Sequence, residues 1–140
     1  GSGEKLMNNT FVGNLVDAVF AALERDETIG ELYNITDGRL VSKREFMSTI
    51  AEVAGYDVPS KSVPLPVARC LAKVMEGTWK LLGKKEAPIL SNARIKFLGL
   101  NLDYCIDKAK RELDYSPHVD FSDGMKQTVD WFRSQNQVER

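Results

Sequence analysis

Tyr104 and Lys108 stand four residues apart, the spacing at which two side chains share one face of a helix. On such a face, an ammonium group lowers the pKa of a neighbouring phenol and prepares it for proton transfer. This chemistry requires one helix to carry both residues. We expect the helix here to begin near Asp107, because an acidic residue suits a first turn, so Tyr104 lies in the preceding segment. The pair is therefore not predicted to be catalytic.

The other residues that could do chemistry are few and isolated. His118, the single histidine, follows a proline in an expected turn, so we place it at the surface. Cys70 and Cys105 lack the C-x-x-C spacing of a zinc site or a disulfide framework, so free thiols are expected. No pair of Asp or Glu residues differs from a solvated helix face. We predict no catalytic residue and no metal site.

Composition favours one globular domain. With 140 residues, 43% of them hydrophobic, the chain can bury about two-thirds of its unfolded surface. Its 19 basic and 20 acidic residues leave a net charge of -1, and no basic run is long enough to follow a phosphate backbone. No apolar stretch approaches the ~20 residues of a membrane helix, and no signal peptide pattern opens the sequence. We expect no nucleic-acid partner, no membrane span and a cytoplasmic location.

The hydrophobic pattern predicts a mostly helical α+β fold with two or three short strands. Thr10 to Val12 and Leu32 to Ile35 are predicted as strands, with a short extended piece at Leu40 and Val41. Between them, Asn14 is predicted to cap a helix that ends near Arg25. Two strands around one helix suit a parallel crossover, and their open edges predict possible homo-oligomers.

Further helices are predicted from caps and apolar periodicity. Ser42 and Glu45 form a capping box before a helix that Gly55 closes in the left-handed region. The longest helix is predicted to follow Pro66 and to end at Gly83. One broad apolar face of it holds Val67, Leu71, Val74, Met75, Trp79 and Leu82. Shorter helices are expected over 91–98 and from Asp107 through Leu113. The buried stripe of a last helix is predicted at Phe121, Met125, Val129 and Phe132.

Three stretches carry a resemblance. Residues 108–117 read K-A-K-R-E-L-D-Y-S-P and are followed by Gly124 and by T-V-D-W-F over 128–132, whereas 11–18 read F-V-G-N-L-V-D-A and 33–38 read Y-N-I-T-D-G. In order and spacing these resemble the C-terminal part of extended short-chain dehydrogenase/reductases, the NAD-dependent epimerase/dehydratase family. That family typically closes on K-A-x-x-E-L-G-Y-x-P and G-x-x-x-T-x-x-W. Gly1 to Lys5 is similar to a turn that often precedes these stretches.

The resemblance implies that residues 1–140 form a single substrate-binding C-terminal domain, the substrate-side portion of an extended Rossmann-type α/β fold. The family binds NAD or NADP on a G-x-x-G-x-x-G loop at a helix N-terminus, and this sequence contains no such loop. The family's catalytic Y-x-x-x-K belongs far from the closing segment that holds Tyr104. We therefore expect no dinucleotide-binding domain, no cofactor-binding residue and no activity of this chain alone, with NAD or NADP bound by the parent protein.

Asp114 departs from the family pattern, which usually has glycine there. A residue just past a helix end often adopts the left-handed conformation, which aspartate tolerates less well than glycine. We expect a small local loss of stability.

Met7 stands where nucleotide-sugar members of the family usually carry an arginine that contacts the diphosphate. A thioether cannot replace a guanidinium, and a second arginine stretch is replaced by L-N-L-D at 100–103. With its apolar long helix, the chain looks more like the 3β-hydroxysteroid dehydrogenase branch. The residues predicted to bind substrate are Met7, Asn9, Phe11, Leu71, Met75 and Trp79.

Three functions remain open at this point. The first is substrate binding within an NAD(P)-dependent oxidoreductase that acts on an apolar hydroxy or keto compound. The second is the C-terminal part of a nucleotide-sugar epimerase or dehydratase with an unusual clamp. The third is a non-catalytic interaction module that keeps the family's scaffold.

Overall fold

The structure is a computed structural model that describes residues 2–58, 60 and 62–138. Two strands and six α-helices follow one another in this part of the chain: β1 (Leu6–Asn8), α1 (Val12–Leu23), β2 (Leu40–Ser42), α2 (Lys43–Ala54), α3 (Leu65–Leu81), α4 (Asn92–Leu98), α5 (Asp107–Leu113) and α6 (Phe121–Val138). A short 3-10 turn, Asp26–Thr28, follows α1. None of the described helices is long and apolar enough to cross a membrane. The predicted mostly helical fold is confirmed.

The start of α1 differs from the prediction. Thr10 to Val12 is not a strand, because α1 already begins at Val12 and β1 lies four residues earlier. Asn14 does not cap the helix; it is fully buried within the first turn. The cap comes instead from Asp37, whose carboxylate oxygens both accept the Phe11 backbone N–H at 2.9 Å. A carboxylate stabilises the free N–H groups of a helix N-terminus, even when it belongs to a distant segment.

The sheet also departs from the predicted parallel crossover. β1 and β2 pair antiparallel, with Met7 opposite Val41. The segment Leu32 to Ile35 joins no ladder among the described residues. Its backbone is held by side chains, including Thr10 Oγ1, which donates to the Ile35 carbonyl, and Lys108 Nζ, which reaches the Leu32 carbonyl. The prediction of a strand there is wrong for the described residues, since none of their strands lies beside it to form a ladder.

The caps of α2 were predicted correctly in part. Ser42 Oγ accepts the Glu45 backbone N–H at 3.0 Å, and Gly55 closes the helix with φ of 80°. The Glu45 carboxylate does not complete the box; it pairs with the Arg39 guanidinium at 2.5 Å.

The stretch from Gly1 to Lys5, which is similar to a turn of the family, contains one glycine in the left-handed region. Gly3 has a φ of 82°, whereas Gly1 lies outside the described residues.

The main core forms where α1 meets α5. Its buried members are Ala18, Ile106, Ala109, Leu113 and Tyr115. A second contact joins α2 to α6, with the Phe46 and Phe121 rings 5.9 Å apart. Along the predicted stripe of α6, Phe121 is buried and Met125 and Val129 are half-buried, but Phe132 is 61% exposed.

The predicted apolar face of α3 is not the face that the helix buries. Ala72 is the fully buried residue of this helix, and α3 packs against α4. The predicted face is mostly turned outward, and four of its six members are exposed: Val67, Leu71, Val74 and Leu82. Periodicity locates an apolar stripe but does not show whether the rest of the molecule covers it.

Candidate functional site

An apolar cleft of about 560 Å³ opens between the start of the chain, α2, α3 and α4. Its volume lies in the range of small-molecule sites, roughly 300 to 1,000 Å³. Hydrophobic side chains from the three helices and nearby loops form most of its wall: Met47, Val58, Val63, Leu65, Ala68, Leu90, Ile95 and Leu98. Ser48, Ser60 and Ser62 add hydroxyl groups.

Lys43 borders the cleft, but its ammonium group is hydrogen-bonded within the protein. Its ammonium donates to the carbonyls of Phe97, Leu98 and Leu100 at 3.2, 2.6 and 2.9 Å. These carbonyls lie at the C-terminus of α4, where a cation offsets the negative end of the helix dipole. Partial burial lowers the pKa of Lys43, with Lys5 as a smaller cause. The contacts leave this ammonium few hydrogen-bonding positions for a ligand.

Arg44, the second cation at the cleft, is also engaged. Its Nε lies 2.9 Å from the Glu4 carboxylate, and its Nη2 donates to the Ser2 carbonyl. The third cation, Lys5, is exposed to solvent. The cleft therefore presents an apolar wall with its one guanidinium already paired.

Three of the predicted substrate-binding residues lie on or just after β1. Met7 is half-buried in the strand, and Phe11 precedes α1. The Phe11 ring fills the space beside two glycines, since a Cβ on Gly13 or Gly124 would come within 2.8 or 2.9 Å of it. Asn9 holds a buried Nδ2 for which the described residues offer no hydrogen-bond partner. Their role in substrate binding stays a prediction.

The other three lie on α3. Leu71 is 49% exposed, whereas Met75 and Trp79 are half-buried. Lys84 sits over the Trp79 ring, 4.6 Å from its centroid. These residues have different packing partners from the β1 group, because α3 contacts α4 and β1 pairs with β2. The role of Leu71, Met75 and Trp79 in substrate binding also stays a prediction.

The structure separates Tyr104 from Lys108. Tyr104 lies before α5, which begins at Asp107 as predicted. Its side chain is 51% exposed. Lys108 instead forms an ion pair with Glu31 at 2.5 Å and lies over the Tyr33 ring at 4.6 Å. The hydrogen bond that the Lys108 ammonium donates to the Glu31 carboxylate raises the pKa of Lys108. This lysine anchors the segment after α1 to α5.

The side chains that could bind a metal ion are dispersed over the described part of the chain. His118 is exposed, with Nδ1 3.1 Å from the Asp17 carboxylate, and both cysteines are exposed free thiols. Within the described ranges, no three His, Cys, Asp or Glu side chains are placed to hold a metal ion. At the N-terminus of α1, the Asp37 carboxylate accepts the Phe11 backbone N–H, and the absence of a dinucleotide site in this chain stays a prediction.

Sequence reasoning missed the cleft itself. Met47, Ala68 and Ile95 line it, and no motif in the sequence distinguishes these residues. They lie on helices α2, α3 and α4, which the sequence predicts, so the missing information is how the three helices come together. Pro64 at the N-cap and Pro66 in the first turn of α3 indicate where that helix begins, but not how it is placed against its neighbours.

Several curated relatives match nearly the whole chain, and two of them are described here. A 3beta-hydroxysteroid-dehydrogenase/decarboxylase, isoform 1, of Arabidopsis thaliana is 34% identical over 98% of this chain and 34% of its own length. The short-chain dehydrogenase/reductase family 42E member 1 of Mus musculus is 31% identical over 96% of this chain and 35% of its own. The chain thus spans about a third of the length of the curated relatives it matches. No family model matches it.

Solved structures show the same fold. An epimerase from Methanothermobacter thermautotrophicus superposes with a TM-score of 0.66 at 25% identity, over 99% of this chain and 33% of that one. A UDP-glucuronic acid 4-epimerase from Bacillus cereus, solved in complex with NAD, gives a TM-score of 0.61 at 20% identity over 96% and 33%. The chain belongs to the extended short-chain dehydrogenase/reductases and corresponds to the C-terminal part of such a protein.

Proposed function

We propose that this chain is the substrate-binding part of an NAD(P)-dependent oxidoreductase acting on an apolar hydroxy or keto compound. The observation that carries the proposal is the cleft of about 560 Å³ with a hydrophobic wall. Apolar ligand area removed from water contributes about 25 cal/mol per Å². A cleft of this size and lining favours binding of an apolar ligand, because it removes the ligand's surface from water. The serine hydroxyls at its wall can form hydrogen bonds with a single hydroxyl or keto group.

The charges around the cleft support an uncharged ligand. Lys43 is bound to three carbonyls, and Arg44 is paired with Glu4. A nucleotide diphosphate gains most from a free guanidinium that binds it in a bidentate manner. Recruiting Arg44 for this purpose would break its exposed ion pair with Glu4, at a cost of about 0 to 1 kcal/mol, so this is a minor contribution. Together with Met7 in place of a family arginine, this favours the apolar class.

The parent protein would supply what this chain lacks. The names of the curated relatives indicate dehydrogenase chemistry, and one of the structural neighbours was solved with NAD. We propose that NAD or NADP binds outside this chain and supplies hydride transfer. The residues described here would bind and orient the substrate, and the chain alone would be inactive. The cytoplasm remains the expected compartment.

A nucleotide-sugar epimerase is the second candidate, and one observation favours it. Both structural neighbours described above are named epimerases, and the Bacillus cereus protein is named for UDP-glucuronic acid. If this candidate were correct, Lys5, the exposed cation of the cleft, would have to bind the diphosphate without an arginine. The third candidate, a non-catalytic interaction module, predicts that the cleft binds neither class of ligand.

Filling the cleft tests the proposal. Ala68 lies on α3 at the cleft wall, so Ala68→Phe should occupy the space and weaken binding of a neutral apolar dye such as Nile red at least tenfold. Ala93→Phe is the matched control, because Ala93 is exposed on α4 and is not among the described residues lining the cleft. A sterol-like ketone should displace the dye and UDP-glucose should not. Equal binding by the two variants, or displacement by UDP-glucose alone, would contradict the proposal.

A further inference from the structure

The segment 32–36 has a free backbone edge. Side-chain exposure alternates along it, because Leu32 and Asn34 are exposed between half-buried neighbours. Those neighbours, Tyr33 and Ile35, pack against the main core. This period of two is that of a strand with one covered face. None of the five backbone N–H groups of the segment donates a hydrogen bond to a described residue. Such a run of unpaired donors is a template for a neighbouring strand.

Helix α1 lies beside this segment and runs in the opposite direction. Near the C-terminus of the helix, Thr28 Oγ1 donates to the Ala22 carbonyl at 2.8 Å. Near its N-terminus, the Asp37 carboxylate accepts the Phe11 backbone N–H at 2.9 Å. The segment therefore returns along the helix, as a strand does after a helix in an α/β unit. Such units belong to sheets with several strands.

The outer face of α1 is an uncovered apolar stripe. Its six members are each exposed, and at 100° per residue they fall within about 140° of the helix circumference: Val12, Leu15, Val16, Val19, Phe20 and Leu23. Asp17, the charged residue of this helix, lies about 130° from the centre of the stripe, next to His118. A helix that is apolar on both its faces is normally buried, so the stripe requires an apolar partner.

We propose that α1 and the segment 32–36 dock onto a β-sheet in the dinucleotide-binding part of the parent protein. The segment would pair with the edge strand of that sheet, and the stripe of α1 would pack against apolar side chains beside that strand.

Two observations select this partner. The chain matches about a third of each curated relative, so two-thirds of each relative lies outside the matched part. A lipid surface or a lone apolar helix would cover the stripe but leave the N–H groups of the segment unpaired, whereas a sheet supplies both carbonyls and an apolar surface. The inference rests on the proposed dinucleotide-binding part of the parent protein and not on the class of substrate.

Amide hydrogen exchange tests the docking, in the 140-residue chain and in the protein that also carries the dinucleotide-binding part. In the 140-residue chain, the amides of residues 32–36 should exchange within about tenfold of the rate of an unstructured peptide, since they lack partners. In the larger protein they should exchange about a hundredfold more slowly or less, because ladder hydrogen bonds protect them. An unprotected segment in the larger protein would overturn the proposal.

A charge placed in the stripe separates docking from folding. Val19→Glu should leave the circular dichroism of the 140-residue chain unchanged, because Val19 is 50% exposed there. In the larger protein it should speed exchange of the segment by about tenfold or more, because docking would bury the carboxylate against apolar surface. Val74→Glu is the matched control, since Val74 is 59% exposed on α3 and should leave exchange unchanged. Val19→Ser repeats the test without a charge if Val19→Glu prevents folding of the larger protein.

Two further outcomes would overturn the proposal. One is equal exchange of the segment in Val19→Glu and Val74→Glu. The other is a dimer of the larger protein, seen by light scattering, that Val19→Glu dissociates, because a second copy would then cover the stripe. Dye binding in the cleft does not involve α1, so this proposal and the proposed function can fail separately.

Discussion

The Asn14 side chain donates from Nδ2 to the Asp37 carboxylate at 2.7 Å, and this contact joins two of the stretches that carry the family resemblance, 11–18 and 33–38. The same Nδ2 donates to the Val119 carbonyl, while Asn14 Oδ1 accepts the backbone N–H groups of His118 and Val119. Asp37 in turn caps α1 through the Phe11 N–H. One buried amide and one carboxylate therefore connect α1, the loop before β2 and the loop before α6.

Replacing either Asn14 or Asp37 by alanine should lower the free energy of unfolding. Asn14→Ala leaves several buried polar groups without partners, so we expect a loss of about 2 to 4 kcal/mol in the free energy of unfolding. Asp37→Ala should cost about 2 kcal/mol, because it removes the cap as well as the contact. Urea denaturation of both single variants and the double variant should give a coupling energy of about 1 to 2 kcal/mol. Additive losses would show that the two residues act independently.

Gly124 should tolerate no side chain, although it lies within α6. A Cβ there would approach Phe11 Cδ2 to 2.9 Å, so Gly124→Ala should lower the free energy of unfolding by roughly 1 to 3 kcal/mol. Gly77 is the matched control in α3, because a Cβ there meets nothing within 4 Å. Gly77→Ala should raise stability by about 0.5 to 1 kcal/mol through helix propensity. A stabilising Gly124→Ala would show that Phe11 can move aside.

Two helix ends test the cost of the left-handed conformation. Asp114 has φ of 54° after α5 and is the described non-glycine residue with positive φ, as its position just past a helix end predicted. Asp114→Gly should stabilise the fold by roughly 0.5 kcal/mol, and Gly55→Ala at the end of α2 should destabilise it by about 1 kcal/mol. Thermal unfolding measures both. The changes in stability of the two variants should have opposite signs. A destabilising Asp114→Gly would mean that the aspartate makes a compensating interaction.

Tyr115 should make the fold sensitive to alkaline pH. Burial raises the pKa of its phenol to about 12, with smaller contributions from Asp37 and Asp17, and the hydroxyl donates to the Thr36 carbonyl at 3.0 Å. The unfolded phenol ionises near pH 10, so the stabilisation is complete below about pH 10 and is lost as pH rises towards 12. The loss should amount to about 2 kcal/mol.

Urea denaturation between pH 8 and 11.5 checks this expectation, with Tyr115→Phe as the comparison. The variant should be less stable than wild type at pH 8 by about 1 kcal/mol, because it lacks the hydrogen bond. Its stability should then fall less steeply above pH 10. Parallel curves for the two proteins would locate the alkaline sensitivity in other groups.

The parts of the fold that depend on neighbours in sequence were predictable. The Ser42 cap, the Gly55 terminus and the ends of α5 follow from short patterns, and the structure contains them. The start of α1 was not predictable, because its cap comes from Asp37, 26 residues further along. The strand predicted at Leu32 to Ile35 failed for a related reason, since a strand depends on a partner that local composition does not reveal.

The cleft was harder to predict than the helices that form it. An apolar stripe looks the same whether it faces a core, a ligand or solvent, so the face of α3 centred on Ala72 could not be distinguished from the one centred on Val74. Engagement of Lys43 by carbonyls more than fifty residues away also leaves no local signal. Such contacts arise only when α2 and α4 have been brought together.

The proposed function is tested most directly by measuring substrate preference. The measurement uses the protein that contains this chain together with its proposed dinucleotide-binding part. With NAD and then NADP, kcat/KM should be compared for sterol-like alcohols and for UDP- and dTDP-sugars, and again for the Ala68→Phe and Ala93→Phe variants. We predict turnover of the apolar alcohols, a loss of at least tenfold in Ala68→Phe, and wild-type values in Ala93→Phe. Efficient turnover of a nucleotide sugar, with none of the apolar alcohols accepted, would contradict the proposed function.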